Sequence, residues 1–271
     1  MDRDTYIDAN RRAWNEAAPY HAAHRMQRLR CAFAEPGFSL LDQVDTEHLL
    51  GLGAFQGKSV VQVCCNNGRE LLSVRNLGAG RCVGIDFSAA FVAQAQELNA
   101  IAGQDCEFVC ASVYDLPHAL NAQFDIALIT IGVISWMPDV GEFFAAVAAL
   151  LKPGGSLFIH EQHPILDMIE PGAADAPVEW ADSYFRTEPF TEDDSLDYYG
   201  GTEYVASRRY SWPYTMSQMI SAGLAAGLSL AQFEERPEHI SNTWWNVEAQ
   251  GPQLPMSFTL TMKKPLLEPT L

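Results

Sequence analysis

The sequence predicts a doubly wound α/β fold, Rossmann-like, with a mostly parallel sheet, on three observations. Val60–Val63 reads as a buried strand that passes through a short polar turn, Cys64–Gly68, into a helix opening at Leu71 and Leu72. Val83-Gly84-Ile85-Asp86 is a second strand closed by an acid. Asp86 follows Gly68 at close to the roughly 20-residue offset at which a strand-end carboxylate meets a nucleoside ribose. From there to residue 163, apolar runs suited to strands alternate with segments of helical period, as βαβ units require. A carboxylate accepts from both ribose hydroxyls, and charged acceptors make the stronger hydrogen bonds. A ribose-bearing cofactor is therefore expected at the carboxyl ends of parallel strands.

Taken in order, residues 4–33 read as a helix carrying Trp14, Tyr20 and His21, and residues 39–52 as another. Ser88 is a good N-cap for a helix whose apolar face includes Phe91, Val92, Ala95 and Leu98. Cys106–Cys110 is a short strand, and Phe124–Ile131 is the continuous apolar run of a central strand buried on both faces. Asp139 with Glu142 resembles a capping box, opening a helix that presents Val140, Phe143, Phe144, Val147 and Leu151 on one side. Gly154-Gly155 then releases the chain into strand Ser156–Glu161. Residues 164–211 break the periodicity: the span 167–203 holds 11 acidic residues against the single Arg186, interleaved with Tyr184, Phe185, Phe190, Tyr198 and Tyr199. A connection this long inside a compact domain is usually functional or disordered, and the aromatics argue for order. It is read as a cap over a substrate pocket. Helix 214–226, with Gly227 just past its end, strand 228–235 and a strictly alternating strand 256–263 complete the pattern. Between those strands, residues 236–255 carry His239, Trp244 and Trp245 and are a second candidate pocket wall. The expected organisation is one domain: an N-terminal helical cap (1–52), a cofactor-binding core (53–163), the acidic, aromatic-rich cap (164–211) and the C-terminal part of the core sheet (212–271).

Composition narrows the function. With 48% hydrophobic residues the chain has ample material for a core, but no run reaches the 18 or so apolar residues that span a membrane. Met1-Asp2-Arg3-Asp4 does not read as a signal peptide, and the six cysteines form no C-x-x-C pair, so a reduced cytoplasmic protein is expected. The net charge of −17 argues against a polyanionic partner, because nucleic-acid binding needs a basic face to release counterions. The arginines of the first 30 residues alternate with acids and read as a solvated helix face. Neither nucleic acid nor membrane is expected as a partner, and a homo-oligomer stays open. His160 and His163 lack a carboxylate partner set, so no metal is expected.

A dinucleotide site wants G-x-G-x-x-G, but Cys64 and Asn66 occupy the first two glycine positions and only Gly68 remains. At this point the chain resembles the class I S-adenosylmethionine-dependent methyltransferases. Their glycine-rich first motif corresponds to Val60–Gly68, their ribose acid to Asp86, their next strand to Phe124–Ile129, and their LKPGG signature to Leu151-Lys152-Pro153-Gly154-Gly155. Cys65-Asn66-Asn67-Gly68, with Trp136 after the fourth strand and His163-Pro164 after the fifth, looks like a bacterial subgroup acting on small molecules. The resemblance implies a seven-stranded sheet with a final antiparallel strand. It implies S-adenosyl-L-methionine lying across Cys64, Cys65, Asn66, Asn67 and Gly68, with Asp86 on the ribose. Phe87 or Val113 would meet the adenine, and Ser112 stands where the family usually carries an Asp for the adenine amino group. Thr130 and Ile131 would line the methionyl portion, and Tyr20 would reach it from the N-terminal segment. Two departures stand out: Gln62 replaces a frequent acid, and Cys64 and Asn66 lack glycine's freedom at positive φ, although Asn tolerates the left-handed region better than most residues. The activity implied is methyl transfer to an oxygen or nitrogen of a small organic acceptor, with Trp136, Tyr184, His239 and Trp244 lining its pocket. His163, at the end of the fifth strand, is the candidate general base, since a neutral imidazole near pKa 6.5 is poised to take a proton at neutral pH. The rival readings are a non-catalytic, regulatory protein that keeps the cofactor site and a nicotinamide-dependent oxidoreductase.

Overall fold

In the computed structural model, which describes all residues except 54, 242, 252 and 267–271, a sheet of seven strands carries helices on both faces. The chain runs α1 (Arg3–Phe33), α2 (Gln43–Gly51), β1 (Val60–Val63), α3 (Arg69–Asn76), β2 (Cys82–Asp86), α4 (Ala89–Ile101), β3 (Glu107–Cys110), β4 (Phe124–Ile129), α5 (Val140–Leu150) and β5 (Leu151–Gln162). There follow β6 (Phe190–Glu192), β7 (Arg209–Ser211), α6 (Met216–Ala225), β8 (Ser229–Arg236), α7 (Trp245–Glu248) and β9 (Ser257–Lys263). The strand order is β3-β2-β1-β4-β5-β9-β8, parallel throughout except for β9, which pairs antiparallel with β5 and β8. The order reverses between β1 and β4, the switch point at which doubly wound folds open a crevice at the strand carboxyl ends.

Strand alternation divides the core into two layers. Ala127 and Ile129 of β4 join Leu157 and Ile159 of β5 under α5 and α6, where Phe143, Phe144, Val147 and Met219 pack. Ile126, Leu128 and Phe158 face the other way, onto Leu71 and Leu72 of α3, Leu98 of α4, Leu49 of α2 and Met26, Leu29 and Phe33 of α1. The same alternation sends His160 to the α2 side, where its Nδ1 lies 2.8 Å from Asp45, and Glu161 to the loop after β4. Ser88 and Asp139 cap α4 and α5 as expected, each accepting a backbone N–H from the first turn, and Thr215, which had not been anticipated, does the same for α6.

Three details differ from the sequence reading. The helix expected over 39–52 begins only at Gln43, because Asp42 caps it by accepting from the Asp45 N–H at 2.7 Å. The fourth strand stops at Ile129, leaving Thr130 and Ile131 in the loop beyond it. The fifth begins at Leu151, with a register shift opposite Phe124 and Ile126, rather than after Gly155. The long 164–211 connection is ordered around a 3-10 turn, Pro164–Met168, and the antiparallel pair β6 and β7. It is tied to α1 by Asn10, whose side chain donates to Tyr210 O and accepts from Tyr210 N, both at 2.8 Å. Among the described residues no helix is long and apolar enough to cross a membrane.

Candidate functional site

The crevice at the switch point is a cavity of about 930 Å³. One end is built from the β1–α3 turn. Cys64, Asn66 and Gly68 all have positive φ, at 56°, 50° and 72°. The left-handed path that glycines would take freely is thus kept by a cysteine and an asparagine, at a cost of roughly 1–2 kcal/mol for a residue with a Cβ, less for asparagine. Gly68 has no such latitude, since a Cβ there would lie 2.6 Å from the Phe108 ring. The turn is fixed through Asp86: its Oδ2 accepts from Asn66 N and its Oδ1 from Ser88 N, each at 2.8 Å. Burial raises the Asp86 carboxyl to about 6, against the two amides that favour its ionised form.

Of the residues expected to hold the cofactor, the structure brings Cys64, Cys65, Asn66, Asp86, Phe87, Ser112, Val113, Thr130 and Ile131 into the cavity wall. Asn67 and Gly68 shape the turn without lining the cavity. Tyr20 does not reach it; its ring stacks on Tyr204, with centroids 4.4 Å apart and the two planes nearly parallel. Ser112 Oγ accepts the Tyr114 N–H at 3.3 Å and so retains its own hydroxyl proton for a ligand. A test of fit comes from Gln62: its Nε2 donates to Thr130 Oγ1 at 3.3 Å, while its Oε1 is buried on the cavity wall without a partner. A buried unpaired acceptor costs about 1–3 kcal/mol, and an ammonium would satisfy it. Arg25, stacked 3.7 Å over the Tyr199 ring, supplies a cation to the same wall. A carboxylate to accept from ribose, an orphaned acceptor for an ammonium and a cation for a carboxylate match the polar groups of S-adenosylmethionine.

The other end is walled by aromatic rings from distant segments: Trp14 of α1, Trp136, Phe190, Trp212 and Trp244. Trp136 and Trp244 were expected here. Tyr184 and His239 were expected too, but neither lines the cavity. Tyr184 Oη accepts the Met216 N–H at 3.0 Å, and His239 lies behind Trp244, bonded to Ser241 Oγ at 2.7 Å. His163 is likewise turned away. Its Nδ1 accepts from Ile165 N at 3.1 Å and its Nε2 faces Glu235 at 3.1 Å, so both ring nitrogens are committed outside the cavity. Burial lowers its pKa, against the pull of Glu235, which fits the neutral ring that the Ile165 bond requires.

Sequence reasoning missed Trp14, Arg25, Arg69 and Asp167. Trp14 and Arg25 lie in the helix that was read as a cap, and their period on α1 was the available signal. Asp167 had only its place four residues beyond His163 on the same turn. Asp42, Asp45 and His160 form, among the described residues, a grouping whose donor atoms lie within 4.8 Å of one another. It sits apart from the cavity: His160 Nδ1 pairs with Asp45 at 2.8 Å, while its buried Nε2 has no partner among the described residues. Burial favours neutral His160, but the Asp45 hydrogen bond outweighs it and raises the imidazole pKa.

Comparison with known proteins places this geometry. Residues 60–155 match the family described as a methyltransferase domain. A ubiquinone biosynthesis O-methyltransferase of Nitrobacter winogradskyi is 28% identical over 144 residues, covering 53% of this chain and 52% of that protein. A tRNA U34 carboxymethyltransferase of Campylobacter curvus is 29% identical over 103 residues, 38% of this chain and 34% of that one. The chain spans about half the length of the first curated relatives it matches. In fold it is similar to an S-adenosylmethionine-dependent methyltransferase from Mesorhizobium loti, with a TM-score of 0.58 at 22% identity over 82% of this chain and 96% of that one.

Proposed function

Because the chain carries a methyltransferase domain of the class I S-adenosylmethionine-dependent family, we propose that it transfers a methyl group to an oxygen or nitrogen of a small, neutral or cationic organic molecule. The observation that carries this reading is the cavity itself. At about 930 Å³ it lies at the upper end of the roughly 300–1,000 Å³ of a single small-molecule site, so cofactor and acceptor fit together. It is roofed by α1 and the 164–211 segment. The acceptor end joins tryptophan faces to the carboxylates Asp167, Glu170, Asp182 and Glu192, surroundings that attract flat or cationic molecules and repel phosphates. Several curated relatives are named for O-methylation in ubiquinone biosynthesis, which supports oxygen as the atom methylated. The tRNA-acting relative is the counterweight, and the acidic wall weighs against its kind of acceptor.

When bound, the cofactor supplies a methyl group on a positively charged sulfur. Asp86 would hold the ribose, with Gln62 and Arg25 at the methionyl end. The aromatic wall excludes water and aligns the acceptor's oxygen or nitrogen with the carbon–sulfur bond, and alignment is the main lever for an in-line displacement.

Calorimetry with S-adenosylhomocysteine, S-adenosylmethionine and a nicotinamide dinucleotide tests the cofactor. Incubation with methyl-labelled cofactor and the small-molecule fraction of a cell extract, followed by mass spectrometry, tests the acceptor. Binding without any labelled product favours the regulatory reading. Label in RNA in place of a metabolite overturns the small-molecule reading.

A further inference from the structure

We propose that Asp167 is the general base of the transfer, taking the proton from the acceptor's O–H or N–H as the new bond to carbon forms. This rests on the methyl-transfer reading. The balance is complete within the site: the acceptor atom bonds to the methyl carbon, the carbon–sulfur bond breaks with its electron pair leaving on sulfur, and the acceptor's proton moves to a carboxylate oxygen of Asp167.

The placement carries the argument. Asp167 sits on the 3-10 turn that follows the carboxyl end of β5, is half-buried, and lines the main cavity. It also borders a side pocket of about 60 Å³ formed with Gly132, Ser135, Glu161, Trp212 and Tyr214. Its turn is held firmly. His163 Nδ1 accepts from Ile165 N, Leu166 is fully buried, and Met168 O accepts from Ala181 N at 2.7 Å. Yet no hydrogen bond or ion pair engages the Asp167 carboxylate among the described residues.

Every other ionisable group of this wall is committed or lies at the rim. Glu161 of β5 accepts from Gly132 N at 2.6 Å, Val133 N and Gln162 N at 2.8 Å, and Ile134 N at 3.3 Å. Tyr214 donates its hydroxyl to Met137 O at 2.7 Å. From the cap, Asp182 is paired with Arg186 and Glu192 with Arg209, and Glu170 is exposed. His21 of α1 lies against Leu196 O at 2.8 Å, and burial lowers its pKa. Among the described residues of this wall, Asp167 alone is a half-buried carboxylate that lines the cavity without a hydrogen bond or ion pair.

Its acidity suits the role. Burial first, then the nearby negative charge of Glu161, raises the Asp167 carboxyl to about 7. A base is most effective when its pKa lies near the working pH. The ionised, proton-accepting form therefore predominates above about pH 7 and is lost below it.

The test joins titration, binding and turnover. Carbon-13 NMR of aspartate-labelled protein, with the Asp167 resonance assigned by its loss in Asp167→Asn, should show titration near 7, moving lower in Glu161→Gln. Calorimetry with S-adenosylhomocysteine should give Asp167→Asn an affinity within twofold of the parent. Transfer from methyl-labelled cofactor to the small-molecule fraction of a cell extract should fall by roughly 10²–10⁴-fold in Asp167→Asn. The parent's loss of rate below pH 7 should disappear with it, and Asp167→Glu should recover part of the rate. A resonance titrating below 5, an undiminished rate in Asp167→Asn, or lost S-adenosylhomocysteine binding in that variant overturns the assignment while leaving methyl transfer intact. A parent protein that binds no S-adenosylhomocysteine overturns methyl transfer, and the assignment with it.

Discussion

At the Asp86 end, the cavity is walled by residues 62–66, 69–70, 85–87 and 111–114, stretches that fold as neighbouring βα units. At the Asp167 end the wall draws on α1, the loops after β4 and β5, the 190–212 region and Ile240, Ser241, Thr243 and Trp244, segments far apart in sequence. The first end works through backbone: positive-φ residues, a turn amide and a helix-start amide converge on one carboxylate. The second works through side chains, with aromatic faces and a carboxylate that has no partner among the described residues. The lesson is a division of labour. On the proposed function, contacts to a constant cofactor would sit on rigid local structure and contacts to the acceptor on long connections that can change without disturbing it. Because the two groups share few partners, substitutions at opposite ends should add nearly independently.

Asp86→Ala is the strongest way to break that comparison. If Asp86 holds the ribose as proposed, removing a charged acceptor from its two hydroxyls, at about 1.5–3 kcal/mol per charged hydrogen bond, should weaken S-adenosylhomocysteine by about 100-fold or more in calorimetry. If the ends are independent, the Asp167 resonance will not move. A shift by a full pH unit would show that they are coupled.

Proton linkage at Asp86 comes next. Its carboxyl is raised to about 6 by burial, and on the proposed role ribose hydroxyls would donate to the ionised form, so the ligand would bind the deprotonated site more tightly. Affinity should be flat above pH 7 and should fall about tenfold for each unit below 6, where the site must lose a proton to bind. Titration calorimetry in buffers of different ionisation enthalpy would register that proton release at pH 5.5. Equal affinity at pH 5 and 8 would remove Asp86 from the ribose.

Glu161→Gln probes the join between the ends. An amide offers one acceptor oxygen where the carboxylate serves four N–H groups, and its own NH₂ would face some of those donors. Relief from burying a charge offsets part of the loss. The expected net cost is about 2 kcal/mol, read as a lower midpoint in urea unfolding. An unchanged midpoint would mean that the 132–134 loop does not depend on Glu161.

How much was legible in the sequence follows the same division. The sheet, its switch point and the β1–α3 turn rest on periodicity and on contacts within βα units, so Val60–Gly68 and Asp86 could be read directly. Two substitutions were legible only in part. Asn66 was expected to tolerate the left-handed region, but the positive φ of Cys64 has no residue preference behind it and follows from the turn's geometry. At the other end His163-Pro164 pointed to the turn that carries Asp167, but not to the side chain that lines the cavity. That depends on how β5 meets β9 and on the phase of the 3-10 turn, where His163 serves as the cap holding Ile165. Tyr184, His239 and Tyr20 were attractive as residue types. Which aromatic reaches the cavity and which props a neighbour is settled by packing between segments remote in sequence.

Trp244→Phe should have the smallest effect and the most discriminating one. The indole lines the cavity while its Nε1–H donates to Ile169 O at 3.0 Å, just past the turn that carries Asp167. Phenylalanine keeps most of the apolar face but loses that hydrogen bond and some of the attraction of an indole for a cation or flat ring, together about 1 kcal/mol. S-adenosylhomocysteine affinity should stay within twofold, because no residue of the Asp86 end touches this contact. The KM for the acceptor should rise severalfold with little change in kcat, since the surface lost contacts the acceptor in the ground state as well as in the transition state. A fall in kcat with KM unchanged would instead show that the indole acts through Ile169 to hold the Asp167 turn. The acceptor end would then behave as one rigid unit, more like the cofactor end than its scattered sequence suggests.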